Sequence, residues 1–262
     1  MDLNRGTLPR LTGVLRVSFQ GVARRPRAYV RVAGPDAEDY LQRMLSNDVT
    51  AGEVVDALLL TPKSRLIAPL RVWRRGPEDF LLLTEPELGE EVRARLLRSR
   101  FAAKCEVEPE EHTSLLVFGE VEGLPGELPG TVEVLDARLE PTLDDDEVER
   151  ARIEAGVPAW GKELDDSILP AEAGLDETHI SFTKGCYPGQ EPIARLRHRG
   201  HVNRRLRVLE VESARPGDEI VLEEKAVGRV TSVVPGLALG YVRVEVSEDT
   251  ELSVGGKPAR LH

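Results

Sequence analysis

Apolar residues along this chain recur with two periods, and the alternation between them divides it into elements. Ala28–Val32 alternates as a strand does. Gly34-Pro35-Asp36 then opens a segment in which Tyr40, Leu41, Met44 and Leu45 share one face at helical spacing. Val54–Leu60 and Leu66–Trp73 flank Thr61-Pro62-Lys63-Ser64, a hairpin signal, and Asp79–Thr84 predicts a further strand. Glu87–Ser99 alternates acids and arginines around Leu88, Val92, Leu96 and Leu97, which predicts an amphipathic helix. Cys105–Val107 and Ser114–Phe118 read as strands again. Hairpins interspersed with two helices predict an α+β layer with a mainly antiparallel sheet.

The second half changes texture. Gly119–Gly130 is rich in Gly, Pro and Glu and reads as a surface connection, a break between two subdomains. Thr142-Leu143-Asp144-Asp145 has the spacing of a capping box, with Thr142 as N-cap, and the acids of Asp144–Glu147 fall where a helix dipole favours them. That helix is predicted to end near Gly156. From Arg204 onward, short alternating runs (Leu206–Val211, Glu219–Leu222, Val227–Val234, Leu237–Val244, Glu251–Val254) are separated by turn residues and predict a small β-barrel. The chain thus divides into residues 1–203 and a barrel over residues 204–262.

Composition narrows the function classes. Of 262 residues 40% are hydrophobic and 31% charged, a soluble globular balance, and apolar runs such as Ala57–Leu60 are too short to span a bilayer. Leu3–Pro35 holds seven arginines and no acid, the composition of an organelle transit peptide. The alternative is a basic leader strand in an arginine-rich chain, and Gly6, Pro9, Gly13 and Gly21 favour it by interrupting any amphipathic helix. Two cysteines 81 residues apart, Cys105 and Cys186, fit a reducing cytoplasm and exclude a disulfide framework. They also exclude a structural zinc site or an iron–sulfur cluster held within one chain. The net charge is −11, yet Lys184–Arg207 carries seven Lys and Arg against one acid, Glu191. This strip suits an anionic ligand, or it pairs with the acidic surface; the sequence leaves both open.

The stretch KGCYPGQE, residues 184–191, concentrates the candidate chemistry. A thiol gains nucleophilicity and metal affinity as thiolate, and cations and helix N-termini favour that form. Lys184 lies two residues before Cys186, and Gly189-Gln190-Glu191-Pro192 reads as a helix start. The alternative is a small buried hydrophobe, which is the reading for Cys105. His179, His198 and His201 lie nearby in sequence without forming a recognisable hydrolase triad. No Gly-rich phosphate loop occurs. Trp73 reads as core; Trp160, between Pro158 and Gly161, is left undecided.

Several segments together carry a family likeness. KGCYPGQE resembles the KGCYxGQE signature of the YgfZ/IBA57-type folate-binding proteins, relatives of the glycine-cleavage T-protein (aminomethyltransferase). RIEAGVPAWGKEL, Arg152–Leu164, resembles that superfamily's R-x-E-A-G-x-P-x-x-G-x-E-L segment. LPAEAGLDETHISFTKGCYPGQE, VGRVTSVVPGLALGYVR and YLQRMLSNDV resemble further family elements in the family's order. The resemblance implies T-protein-like folate-binding layers with a C-terminal barrel, arranged around a central cavity. It also implies tetrahydrofolate or a derivative as ligand, and a role in maturing iron–sulfur proteins, tRNA-modifying enzymes among them. It implies folate contacts near Asn47 and Asp48 and along Tyr187, Gly189, Gln190 and Glu191, with Arg195 in the basic strip available to the glutamate carboxylates. Cys186, with Lys184, is implied as a reactive thiol or a shared cluster ligand.

The chain departs from the aminomethyltransferase branch at one informative place. LTPKSRLIAPLRV has Ala68-Pro69 where that branch carries an aspartate pair, and Ser64 where glycine is usual. Without the carboxylate, acid–base assistance to the folate nitrogen is missing, which argues for an accessory protein over a transferase. An RNA-binding module built on Arg195–Arg207 ranks last, because the strip lacks interleaved aromatics for stacking on bases. The expectation is a cytoplasmic, monomeric, folate-binding partner of iron–sulfur client or assembly proteins, with no tightly bound metal, no direct tRNA binding and no membrane association.

Overall fold

A computed structural model describes residues 19–262. Residues 1–18, and with them the start of the Arg-rich leader and its transit-peptide reading, lie outside the described residues. The remainder of the leader forms β1 (Phe19–Arg24) and β2 (Ala28–Ala33). There Arg25 pairs with Glu85 and Glu127, Arg27 with Glu127 and Glu133, and Arg31 with Asp79.

Next come α1 (Ala37–Met44), β3 (Val54–Leu60), β4 (Leu66–Gly76), β5 (Asp79–Thr84), α2 (Gly89–Ser99) and β6 (Glu106–Glu110). The strands form a five-stranded sheet in the order β3-β4-β5-β2-β6, with every neighbour antiparallel. Side chains alternate across a strand, so each strand serves two cores. Val30, Val32, Ala57, Leu59, Ala68, Leu70, Phe80 and Leu82 pack beneath α1 and α2, against Tyr40, Leu41, Val92 and Leu96. On the other face Leu58, Leu60 and Leu66 join one cluster, while Tyr29, Leu81 and Leu83 join another. This explains the continuous apolar runs: a strand buried on both faces has no polar side to alternate with. At roughly 1.5–3 kcal/mol per buried Leu or Val side chain, this two-faced burial is the main stabilising term of the region.

A second sheet, ordered β1-β7-β9-β8, is built from β1, β7 (Ser114–Gly119), β8 (Leu124–Pro125) and β9 (Thr131–Leu135). Within the Gly119–Gly130 connection, β8 pairs briefly with β9. Leu124 and Leu135 pack on Tyr29 and Leu81, which joins the two sheets.

The helix α3 (Asp145–Glu154) starts later than the sequence spacing predicts. Its N-cap is Asp144, which accepts from the Glu147 amide while Glu147 reaches back to the Asp144 amide. Thr142 is not the cap because its hydroxyl accepts the Val22 amide and its own amide donates to Val22, which ties it to β1. The end is as predicted: Ala155 is the C-cap and Gly156 follows with φ +67°. After α4 (Gln190–Arg199), six strands close a barrel: β10 (Arg204–Val211), β11 (Glu219–Leu222), β12 (Lys225–Val234), β13 (Leu237–Arg243), β14 (Leu252–Val254) and β15 (Lys257–Leu261). The pattern missed β15, whose Lys257-Pro258-Ala259-Arg260 buries only Ala259. The protein is an α+β fold of antiparallel layers with a small C-terminal barrel. Among the described residues no helix is long and apolar enough to cross a membrane.

Candidate functional site

The site is a long irregular segment, Ala155–Gly189, pinned to the regular layers at a few points. At its start Arg152 and Glu163, both buried, meet at 2.9 Å. Arg152 also donates to Glu149, to the Val157 carbonyl and to Ser232, and Ser232 donates to Glu163. The Tyr241 hydroxyl donates to the Glu163 carbonyl at 2.8 Å. The R…E spacing of RIEAGVPAWGKEL is therefore a clamp that fastens α3 and the 159–164 turn to β12 and β13 of the barrel. Trp160 packs against both the helix-side core and the cluster beneath Leu58 and Leu60.

The turn after α1 is the second anchor. Ser46, fully buried, accepts the Leu58 amide and donates to the His179 carbonyl at 2.6 Å, and its own carbonyl accepts the Ser181 amide. Asn47 donates to the carbonyls of Asp56 and Thr178. Asp48 accepts from Gln42 and Thr50, and those bonds hold its carboxyl below the usual range. So the SNDV element is a receptor for segment 178–184.

Lys184 completes that junction. Its Nζ donates to the carbonyls of Leu45 (2.9 Å) and Asn47 (2.7 Å) and lies 5.6 Å from the centre of the Tyr187 ring. Burial lowers its pKa to about 8, with Asp48 acting in the opposite sense. The sequence expectation pairs this ammonium with Cys186. Its hydrogen bonds go to main-chain carbonyls instead, because a half-buried ammonium needs acceptors and the Leu45–Asn47 turn supplies them.

Tyr187 is buried in the cluster beneath Leu60 and Leu66, and burial raises its hydroxyl to about 12. That hydroxyl has no hydrogen-bond partner among the described residues. Gly189 has φ +85°, and a Cβ there would sit 2.6 Å from the Thr61 carbonyl oxygen, so the loop passes too close to the hairpin for any side chain. Gly185 is under no such constraint: a Cβ there would meet nothing within 4 Å. Ser64, at φ +60°, donates through its hydroxyl to the Gly189 carbonyl.

Cys186 is exposed, between an unconstrained Gly185 and a buried Tyr187. Cys105 is buried with the helix-side core, and burial raises its thiol pKa. The structure therefore brings together Asn47, Asp48, Lys184 and Tyr187 and presents Cys186 at their edge. Gln190, Glu191 and Arg195 lie on α4, lining a shallow cleft with Pro62 and Pro192. Glu191 and Arg195 form an exposed i,i+4 pair at 3.5 Å, worth little energetically.

Sequence reasoning missed a buried polar chain between the sheets. Glu133 accepts from Arg27, Arg71 and Ser114, and Arg71 continues to Asp56. Next to Asp56 and Arg71 lies His179, whose pKa burial lowers, so its ring is neutral near pH 7. Arg27 and Glu133 stand 106 residues apart, and no local pattern pairs them. On β4, Ala68 faces the helix-side core and Pro69 offers only its carbonyl, to Thr84.

Residues 203–262 match the family model of the CAF17 C-terminal beta-barrel domain. An uncharacterized protein of Haemophilus influenzae is 28% identical over 243 residues, covering 85% of this chain and 87% of that protein. An iron-sulfur cluster assembly factor IBA57 homolog of Neurospora crassa, a mitochondrial protein, is 26% identical, covering 72% of this chain and 54% of its own length. The crystal structure of the glycine cleavage system aminomethyltransferase T from Bartonella henselae superposes with a TM-score of 0.75 at 19% identity, over 92% of this chain and 84% of that one, and so shares its fold. The chain thus carries a CAF17-type C-terminal barrel on an aminomethyltransferase-like fold and is similar over most of its length to iron-sulfur cluster assembly factor IBA57 homologs.

Proposed function

We propose that this protein is a tetrahydrofolate-binding accessory factor for iron–sulfur cluster assembly or repair. The observation that carries the reading is Cys186: an exposed thiol on a loop anchored on both sides, Lys184 by two carbonyls, Tyr187 by burial and Gly189 by the hairpin. Such preorganisation gives nothing to a core cysteine. It favours a thiol that meets a partner or serves as one ligand of a cluster shared with it. Among the described residues no group of three or more His, Cys, Asp or Glu could hold a metal ion, so a cluster would need ligands from elsewhere.

The residues fit a reduced folate in part. The buried, unpartnered Tyr187 hydroxyl and the Lys184 ammonium, which lies 5.6 Å from the centre of the Tyr187 ring, would supply a polar group and a positive charge next to Asn47 and Asp48. Arg195 and the Gln190–Glu191 helix start would meet the outer end of such a ligand. Folate would supply a one-carbon carrier. This chain's residues would bind and orient it, and no carboxylate on β4 stands ready to move a proton at its nitrogen. The aminomethyltransferase reading is weaker for that reason, and ammonia release from an aminomethylated lipoyl carrier is expected at background.

Two measurements test the proposal. Calorimetry with 5-formyltetrahydrofolate is expected to show saturable binding; absence of heat with several reduced folates at near-millimolar concentration would remove the folate component. In cells lacking the protein, Cys186→Ser is expected to fail to restore iron–sulfur enzyme activity while accumulating to normal levels. Full rescue would end the chemical reading of the thiol and leave the loop as scaffold.

A further inference from the structure

The basic strip does not act as one unit. Lys184 is held by carbonyls, Arg195 pairs with Glu191, Arg204 with Glu172, and Arg207 with Glu248. Arg197 and Arg205 differ: among the described residues neither has a carboxylate within ion-pair distance. Both line the same cavity, of about 500 Å³, between α4, the Leu169–Phe182 segment and the edge of the barrel.

The walls of this cavity are mainly apolar. Ile180, Phe182, Ile193, Leu196 and Val202 line it, with Val244, one of only two large hydrophobic residues exposed among those described, at its rim. The Arg197 guanidinium lies 3.8 Å from the centre of the Phe182 ring. Stacking fixes its plane and leaves its N–H edge available. His201 also lines the cavity, and Asp176 is its single acid, so two guanidiniums face one carboxylate. The volume lies within the range of small-molecule sites, roughly 300–1,000 Å³.

We infer that this cavity binds an amphipathic anion: a small molecule whose aromatic or branched apolar body lies against Phe182, Ile193 and Leu196, with a carboxylate, sulfonate or phosphate head between Arg197 and Arg205. Two exposed guanidiniums at the edge of one apolar wall, with a single acid in the lining, are an arrangement that would hold such a ligand's head and body together. The residues of the folate reading, Asn47, Lys184, Tyr187, Gln190, Glu191 and Arg195, do not line this cavity, and the inference stands or falls independently.

The test is calorimetry on the full chain with 8-anilinonaphthalene-1-sulfonate as probe. One saturable site is expected, weakened about tenfold by either Arg197→Gln or Arg205→Gln, the loss of one charge-assisted contact. Val244→Trp, at the exposed rim, is expected to block the site with the melting temperature unchanged. The uncharged N-phenyl-1-naphthylamine is expected to bind at least about tenfold more weakly than the sulfonate. The inference fails if no saturable site appears, if the three variants leave binding unchanged, or if the neutral analogue binds equally well. It also fails if 5-formyltetrahydrofolate displaces the probe competitively, since the cavity would then be the folate site itself.

Discussion

Ser64 Oγ donates to the carbonyl oxygen of Gly189 at 2.6 Å, joining the β3–β4 hairpin to the loop that carries Cys186. The serine occupies a left-handed position, φ +60°, where glycine is the unstrained residue. A buried hydrogen bond is thus set against backbone strain at one residue. Ser64→Ala keeps the strain and loses the bond, and is expected to cost about 1–3 kcal/mol. Ser64→Gly loses the bond but relieves roughly 1 kcal/mol of strain, so it is expected to melt between the alanine variant and wild type. Gly189→Ala is expected to be the most damaging of the three, because its Cβ meets the Thr61 carbonyl. Thermal melts of the three variants check this order, and an alanine variant as stable as wild type would contradict it.

The Arg152–Glu163 clamp yields a second prediction. Glu163→Gln leaves a buried guanidinium with only Glu149 as counter-charge. A loss of about 3 kcal/mol in urea unfolding is expected, together with faster proteolysis within the Gly156–Leu164 turn, which the clamp holds to the barrel. A loss below about 0.5 kcal/mol, the scale of a surface substitution, would show that the clamp is not what secures that turn.

For the cysteines, the native protein is expected to expose one fast-reacting thiol to a disulfide reagent such as dithionitrobenzoate, with the second reacting only on unfolding. Cys186→Ser should remove the fast phase and change stability by no more than about 0.5 kcal/mol. Cys105→Ser should keep the fast phase and cost about 1–3 kcal/mol, since it places a hydroxyl in an apolar site. Two fast thiols in the native state would overturn the burial of Cys105.

Lys184 gives a pH prediction. Its folded pKa, about 8, lies below the ordinary lysine value because burial disfavours the ammonium more than Asp48 favours it. At pH below 8 the charged form burdens the native state. Between pH 8 and the unfolded value near 10.5, the unfolded chain keeps the proton that the native one has released. This lysine's contribution to stability therefore improves as pH rises through that window. The difference in unfolding free energy between wild type and Lys184→Met should move in favour of wild type from pH 7.5 to 10. Nζ resonances titrating near 10.5 would refute the assignment.

Apolar period and turn chemistry marked most of the strands and helices, but not β1, β8, β9 or β15. Val54–Leu60, Asp79–Thr84 and Glu219–Leu222 were bounded to the residue by apolar period and turn chemistry, and the closed barrel was readable from its short alternating runs. Local energetics decides such features, and local sequence carries them. Even capping was legible only up to competition: Thr142 has the right spacing, but a tertiary bond to Val22 engages it and Asp144 caps instead. What Lys184, Arg152 and Ser64 do was decided by the tertiary structure alone. Their partners stand 137, 80 and 125 residues away at Asn47, Ser232 and Gly189, and a polar side chain chooses its acceptor only when packing has removed water from around it. The same reason divides the basic strip. Which arginines find a carboxylate, and which are left facing an apolar cavity, depends on surfaces that exist only once the barrel has closed against α4.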